Sequence, residues 1–332
     1  MPKTRAGPQP LRGGMVRWLP TAEELAQRTP VELTDRDDAI LRAVALHGAL
    51  TTEQIELAYF PAPAAGRASP CTRLYDRLRL LWLWSYLERV ERPVSRALGG
   101  RRSFLYLLGR AAPAVLARRL PDAPTVACRR LDRLDPTFLE HDLKAATLWA
   151  NIERVRCQGA AGVRPFRRMR WVPERELRAR KARVRDPMTG RSIPWLPDGL
   201  FAVRYADNAL QVALVEVDMG TVSLSRFRRK LRAFEAYRDE GLLQRHWGYD
   251  EAEVLVLAHS PRRLLSLWGA ARETVPQGWW GSYFFATFAA LDPAGFVKAR
   301  WQCLDKDLED SENNYKALYV PEAPAKGKEE AS

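Results

Sequence analysis

Pro197-Asp198-Gly199-Leu200-Phe201-Ala202-Val203, followed after a short polar gap by Val212-Ala213-Leu214-Val215-Glu216-Val217-Asp218, is the stretch that decides the fold. Both runs are rich in strand-forming residues, and the second is apolar on both faces, as a central strand covered by helices must be. Side chains alternate across a strand, so Glu216 and Asp218 project from one face, beyond Val212 and Leu214. Two carboxylates are therefore expected to converge, with Asp198 a third candidate; Pro-Asp-Gly also reads as an ordinary turn. Acids at the end of a buried strand are costly unless something offsets their charge. A divalent cation would do so, and carboxylates with water and phosphate suit Mg²⁺ or Mn²⁺. The other partner on offer is the arginine-rich helix that follows.

Downstream, Ser223 to Glu240 carries an apolar stripe of Leu224, Phe227, Leu231, Phe234 and Tyr237, surrounded by Arg226, Arg228, Arg229, Lys230 and Arg232. That spacing predicts a helix. Val254 to Ala258 predicts another buried strand, Ser260-Pro261 starts a helix running to about Ala271, and Tyr283 to Phe288 reads as an edge strand. Upstream, Pro136 opens a long helix ending near Cys157, and a strand is expected around Arg170 to Glu174. The segment from Arg164 to Arg191 holds eleven Lys and Arg against three acids. Within it, Arg178, Arg180, Lys181 and Arg183 are candidate DNA contacts on a basic hairpin. The order of elements predicts an α/β (α+β) domain around a mixed sheet, over residues 136–304.

In the N-terminal half, Thr34 precedes a one-faced apolar pattern of Ile40, Leu41, Val44 and Ala45 that Gly48 ends. Thr51-Thr52-Glu53-Gln54 is a capping box for a second helix, and Ser69-Pro70 begins a third. That third helix buries Leu74, Leu78 and Leu81 while Thr72, Arg73 and Arg77 occupy other sectors. Two β-rich runs, 86–90 and 104–108, flank a loop containing Arg101 and Arg102. Three helices and a basic hairpin over residues 31–120 predict a winged helix-turn-helix, with Thr72, Arg73 and Arg77 toward the DNA groove and Arg101 and Arg102 toward phosphates. Trp82 and Trp84 read as core or dimer-packing residues, which leaves a homodimer open.

The whole chain of 332 residues is long enough for two domains, with 53 Lys+Arg against 40 Asp+Glu and a net charge of +13. Such a surplus favours a polyanionic partner, DNA above all, although an arginine-rich coding bias yields a similar balance. Cys71, Cys128, Cys157 and Cys303 lack metal or disulfide spacing. No apolar run is long enough for a membrane helix and no leader is evident, so a cytoplasmic protein with no membrane partner is expected. Residues 1–30 are proline-rich and read as a flexible basic arm, 121–135 as a linker and 305–332 as a disordered tail.

Asp35-Arg36-Asp37, Leu50-Thr51-Thr52-Glu53-Gln54-Ile55, Glu140-His141-Asp142-Leu143, Pro197-Asp198-Gly199 and Glu216-Val217-Asp218-Met219-Gly220-Thr221 with Lys230 together resemble the bacterial replication-relaxation family of plasmids and other mobile elements. The resemblance implies a DNA-binding accessory protein, with DNA of a plasmid origin or transfer region and other replication or mobilisation proteins as partners. The second half also resembles the PD-(D/E)XK nuclease core, which implies metal-binding positions at Asp198 and Glu216. Asp218 stands where that pattern has lysine. Lys230 on the next helix is a displaced substitute, with Arg226 and Arg229 equally placed by sequence. The alternative function is then a Mg²⁺-dependent endonuclease or nickase acting through Asp198, Glu216, Asp218 and Lys230.

Overall fold

The computed structural model describes residues 7–60, 72–92, 104–119, 136–306 and 318. It is a mixed α/β chain whose packing divides into two units, Met1–Cys157 and Gln158–Ser332.

The first unit runs β1 (Gly7–Pro10), β2 (Val16–Leu19), α1 (Ala22–Ala26), α2 (Asp35–His47), β3 (Leu50–Thr51), α3 (Thr52–Tyr59), α4 (Thr72–Leu83), β4 (Leu87–Glu91), β5 (Phe104–Leu108), α5 (Ala112–Arg119) and α6 (Pro136–Gln158). Its sheet is antiparallel, in the order β1-β2-β4-β5-β3. Helices α2 and α3 start as the residues dictate. Thr34 accepts from the Asp37 amide and Thr51 from the Gln54 amide, and each third residue returns a bond to the cap backbone. Gly48 ends α2 in the left-handed region, at φ 78°.

Two expectations fail here. Residues 7–26 are strands and a short helix, not a flexible arm. β2 pairs with β4, the Trp18 indole N–H donates to Glu91 at 2.8 Å, and Arg17 donates to Glu88 at 2.5 Å. Pro8 and Pro10 lie in β1, at the sheet edge, where a missing N–H leaves no ladder bond unmade. The helix expected to open the second domain also packs in the first. Leu139 and Leu143 of α6 join Met15, Ala49, Val90, Leu105 and Leu107 in one apolar cluster. The buried Gln54 amide donates to the Leu143 carbonyl at 2.7 Å and to Thr147 Oγ1 at 3.0 Å. The expected linker, 121–135, lies outside the described residues, as does all but Leu318 of 307–332.

The second unit continues with β6 (Phe166–Pro173), α7 (Glu174–Ala179), β7 (Arg183–Arg185), β8 (Ser192–Pro194), β9 (Gly199–Tyr205), β10 (Leu210–Asp218), α8 (Leu224–Asp239), α9 (Leu242–Trp247), β11 (Glu253–Ala258), α10 (Pro261–Arg272), β12 (Tyr283–Thr287) and β13 (Gln302–Cys303). Its six-stranded sheet has the order β13-β12-β11-β10-β9-β6. The pairings β10–β11 and β11–β12 are parallel and the others antiparallel, so the sheet is mixed. Residues 283–287 are an inner strand, because β13 pairs beyond them. One face of the sheet, with Leu214, Val254 and Val256, packs against Phe227, Leu231 and Phe234 of α8 and Leu264 and Leu267 of α10. Val184, Ile193 and Trp195 of the small β7–β8 hairpin region complete that core, Trp195 stacking on Tyr237 with ring centroids 3.7 Å apart.

Candidate functional site

Asp198 immediately precedes β9, and its amide donates to the Val215 carbonyl of β10 at 2.9 Å. Its Oδ2 accepts from the Val217 amide at 2.7 Å. The turn-like Pro-Asp-Gly segment is thereby fastened to the strand that carries Glu216. Both acids are buried, Asp198 at 6% and Glu216 at 4% exposure. Lys230 extends from α8 between them: its ammonium donates to Asp198 Oδ1 at 3.1 Å and to the two Glu216 oxygens at 2.6 and 2.5 Å. Burial works against the lysine's charge, but the Asp198 and Glu216 carboxylates outweigh it and hold its pKa above the ordinary value.

Asp218 stands apart from this trio. Its carboxylate takes a two-pronged bond from Arg263 of α10, with Nε and a terminal nitrogen each 2.8 Å away, and a third bond from the Gly220 amide at 2.8 Å. The expected convergence of three acids is therefore corrected. Glu216 and Asp218 share a strand face, but α8 supplies the cation for one and α10 for the other. Arg263 also reaches the Val222 carbonyl, so its guanidinium closes the loop after β10. Gly220 is needed in that loop. Its φ is +81°, and a Cβ there would lie 2.5 Å from the His259 ring.

The oxygens of Asp198 and Glu216 already converge on one positive centre. An all-oxygen donor pair of this kind fits a hard divalent cation, whereas Asp218, bound to a guanidinium fork, lies outside the set. Of the candidate cations, Lys230 is the one that bonds Asp198 and Glu216, while Arg226 and Arg229 are exposed.

The basic segment is firmly mounted. Asp186, buried in the turn between β7 and β8, accepts from Arg232 of α8 at 2.9 and 3.2 Å and from the Met188 amide at 3.0 Å. The Arg232 bond, chiefly, holds the Asp186 carboxyl below the usual carboxylate range. Arg183 donates to Ser192 Oγ and to the Ser192 carbonyl, both at 2.8 Å. Arg178 is exposed and pairs with Glu174. The Arg180 guanidinium lies 4.2 Å from the Trp247 ring centroid, with that of Arg170 at 5.3 Å. Lys181 is exposed and left-handed, at φ 51°.

On α4, Thr72 and Arg73 are exposed. Arg77 is half-buried. Its guanidinium grips the buried Asp37, with Nε 2.7 Å from Oδ1, and donates to the Glu32 carbonyl at 2.6 Å. Burial raises the Asp37 pKa, but the Arg77 bond and the Thr34 cap more than reverse this and leave it lowered. Arg101 and Arg102 lie outside the described residues. Sequence reading missed Arg263, Asp186 with Arg232, and Trp247 with its two arginines. No spacing signal links such distant partners, though the buried position of Asp218 at a strand end does demand some cation.

Fold and site together define a mixed α/β protein with a basic hairpin and an acid–lysine centre whose lysine comes from the helix that anchors the hairpin. A family model described as replication-relaxation matches residues 41–251, more than half of the chain, and the protein belongs to that family. Membership supports a replication-related function in mobile elements. Neither a search of curated proteins nor one of solved structures found a match. Among the described residues no helix is long and apolar enough to cross a membrane.

Proposed function

We propose that this replication-relaxation protein is a DNA-binding accessory factor of a plasmid or other mobile element, acting through a winged helix in its first unit and the basic hairpin of its second. The carrying observation is that the β7–β8 hairpin is fastened through Asp186 and Arg232 to α8, the helix that also bears Lys230. The basic hairpin and the lysine of the acidic centre are thus held by one helix. For the first unit, support comes from the order helix, strand, helix, helix, strand, strand (α2, β3, α3, α4, β4, β5), with β4, β5 and β3 adjacent in the sheet. In this reading Thr72 and Arg73 face the groove and Arg77 supports the helix from behind.

Fluorescence anisotropy on labelled duplex across a salt series tests the proposal. Tight binding that weakens with salt is expected, and Arg178, Lys181 and Arg183 changed together to Ala should lower the log–log slope by about 3. Absence of binding in dilute buffer would overturn it.

A second reading, a metal-dependent endonuclease, is favoured by the approach of Lys230 to Asp198 and Glu216. Those two acids would hold the ion, which when bound would activate water and offset charge on the scissile phosphate. Lys230 would contribute a donor to a phosphate oxygen, and Asp218 would act only through the loop it closes with Arg263. Under saturating binding with Mg²⁺ or Mn²⁺, supercoiled plasmid should be nicked, and Asp198→Ala or Glu216→Ala should abolish nicking. Plasmid that stays intact removes this reading and leaves the DNA-binding one standing.

A further inference from the structure

We propose that Lys230 is an internal competitor for the cation position between Asp198 and Glu216, so that a divalent ion enters only when the ammonium swings aside. The inference rests on reading these acids as a metal-holding pair. Its basis is which oxygens the lysine covers. The Asp198 oxygen bonded by the Val217 amide is Oδ2, and the ammonium meets the other one, Oδ1. At Glu216 it covers both oxygens, at 2.6 and 2.5 Å. A bound Mg²⁺ needs oxygens at about 2.0–2.1 Å and octahedral geometry. It cannot share these faces with an ammonium already in hydrogen-bond contact, because two cations would then stand within a few ångströms of each other in a buried setting.

The exit is built into the side chain. Lys230 is 25% exposed and has a flexible four-carbon stem ending in a compact charge, so it can turn outward without unpacking α8. Arg263 on Asp218 offers no such release, since its planar fork matches one carboxylate and also holds the Val222 carbonyl. Two acids of one strand, Glu216 and Asp218, are thus met by an exchangeable cation from α8 and a fixed one from α10.

The test is titration of Mn²⁺ by isothermal calorimetry into the full chain and into Lys230→Met, with melting temperature followed in parallel. The variant should bind Mn²⁺ about tenfold or more tightly than the wild type. Its melting temperature, lowered without metal, should rise further on Mn²⁺ addition than that of the wild type. Adding Glu216→Gln should erase both gains. Lys230→Gln, which keeps a donor against Glu216 without the charge, should show the same tighter binding if the Met variant does not fold. Equal or weaker affinity in the uncharged variants, with a wild type that does bind Mn²⁺, overturns the competition and leaves the metal-holding pair intact. Failure of every form to bind Mn²⁺ overturns the pair itself and the competition with it.

Discussion

Asp37 in the first unit and the Asp198–Glu216 pair in the second are both buried acids met by one basic side chain from a neighbouring helix, yet they are solved differently. Asp37 meets a guanidinium whose fork fits a single carboxylate, while Thr34 satisfies the same acid from the other side. Asp198 and Glu216 share the ammonium of Lys230, a point charge with three donors and no preferred plane. The first arrangement locks a helix start; the second holds two carboxylates together through one shared ammonium. A buried ion pair is thus no guide to function until its stoichiometry and donor shape are read. Asp218 with Arg263, two residues from Glu216, follows the locking pattern inside the candidate site itself.

The contrast can be broken most forcefully by removing the cations. Arg263→Met strands Asp218 in a buried position and should cost about 3–5 kcal/mol in urea unfolding of the second unit. Mn²⁺ should not restore that loss, unlike the loss in Lys230→Met. Arg77→Met should cost less, about 2 kcal/mol, because Thr34 still serves Asp37. The pH dependence sharpens this. Since the Asp37 pKa is lowered on folding, its contribution is fully present above the ordinary carboxylate value near 3.8 and is lost as pH falls through the folded value. Acid titration of Arg77→Met, followed by circular dichroism, should therefore show a smaller loss of stability below pH 4 than the wild type.

Arg73→Ala and Arg77→Ala separate contact from support. The former should reduce the salt slope of DNA binding by about 1, and the latter should leave the slope unchanged while lowering stability. The smallest effect is expected at Lys181. Gly there removes left-handed strain but adds chain entropy, for a net gain of about 0.5 kcal/mol, together with a drop of about 1 in the salt slope if the side chain meets phosphate.

Much of the fold was legible because local rules agreed with tertiary demands. The capping boxes at Thr34 and Thr51, the Leu74–Leu78–Leu81 stripe, and the two-faced apolar strand before Asp218 all form as their patterns imply. The prolines of 7–26 misled because proline signals both disorder and an edge strand, and only the pairing partner distinguishes them. Helix α6 was visible as a helix but not as a member of the first unit, because its seat depends on Gln54, far away in sequence. At the candidate site, the alternation rule found the shared face of Glu216 and Asp218. It could not tell that two helices would divide them, since that is settled by where Lys230 and Arg263 fall on their own turns.

The seating of α6 bears on how the polypeptide can be divided for study. Expression starting at Pro136 would strip a 23-residue helix of the surface it was shaped to cover and leave the Leu143 carbonyl and Thr147 without the Gln54 amide donor. The packing units divide between Cys157 and Gln158, and neither of the two described apolar clusters crosses that point. A division of the polypeptide for study therefore belongs after α6 and not before it.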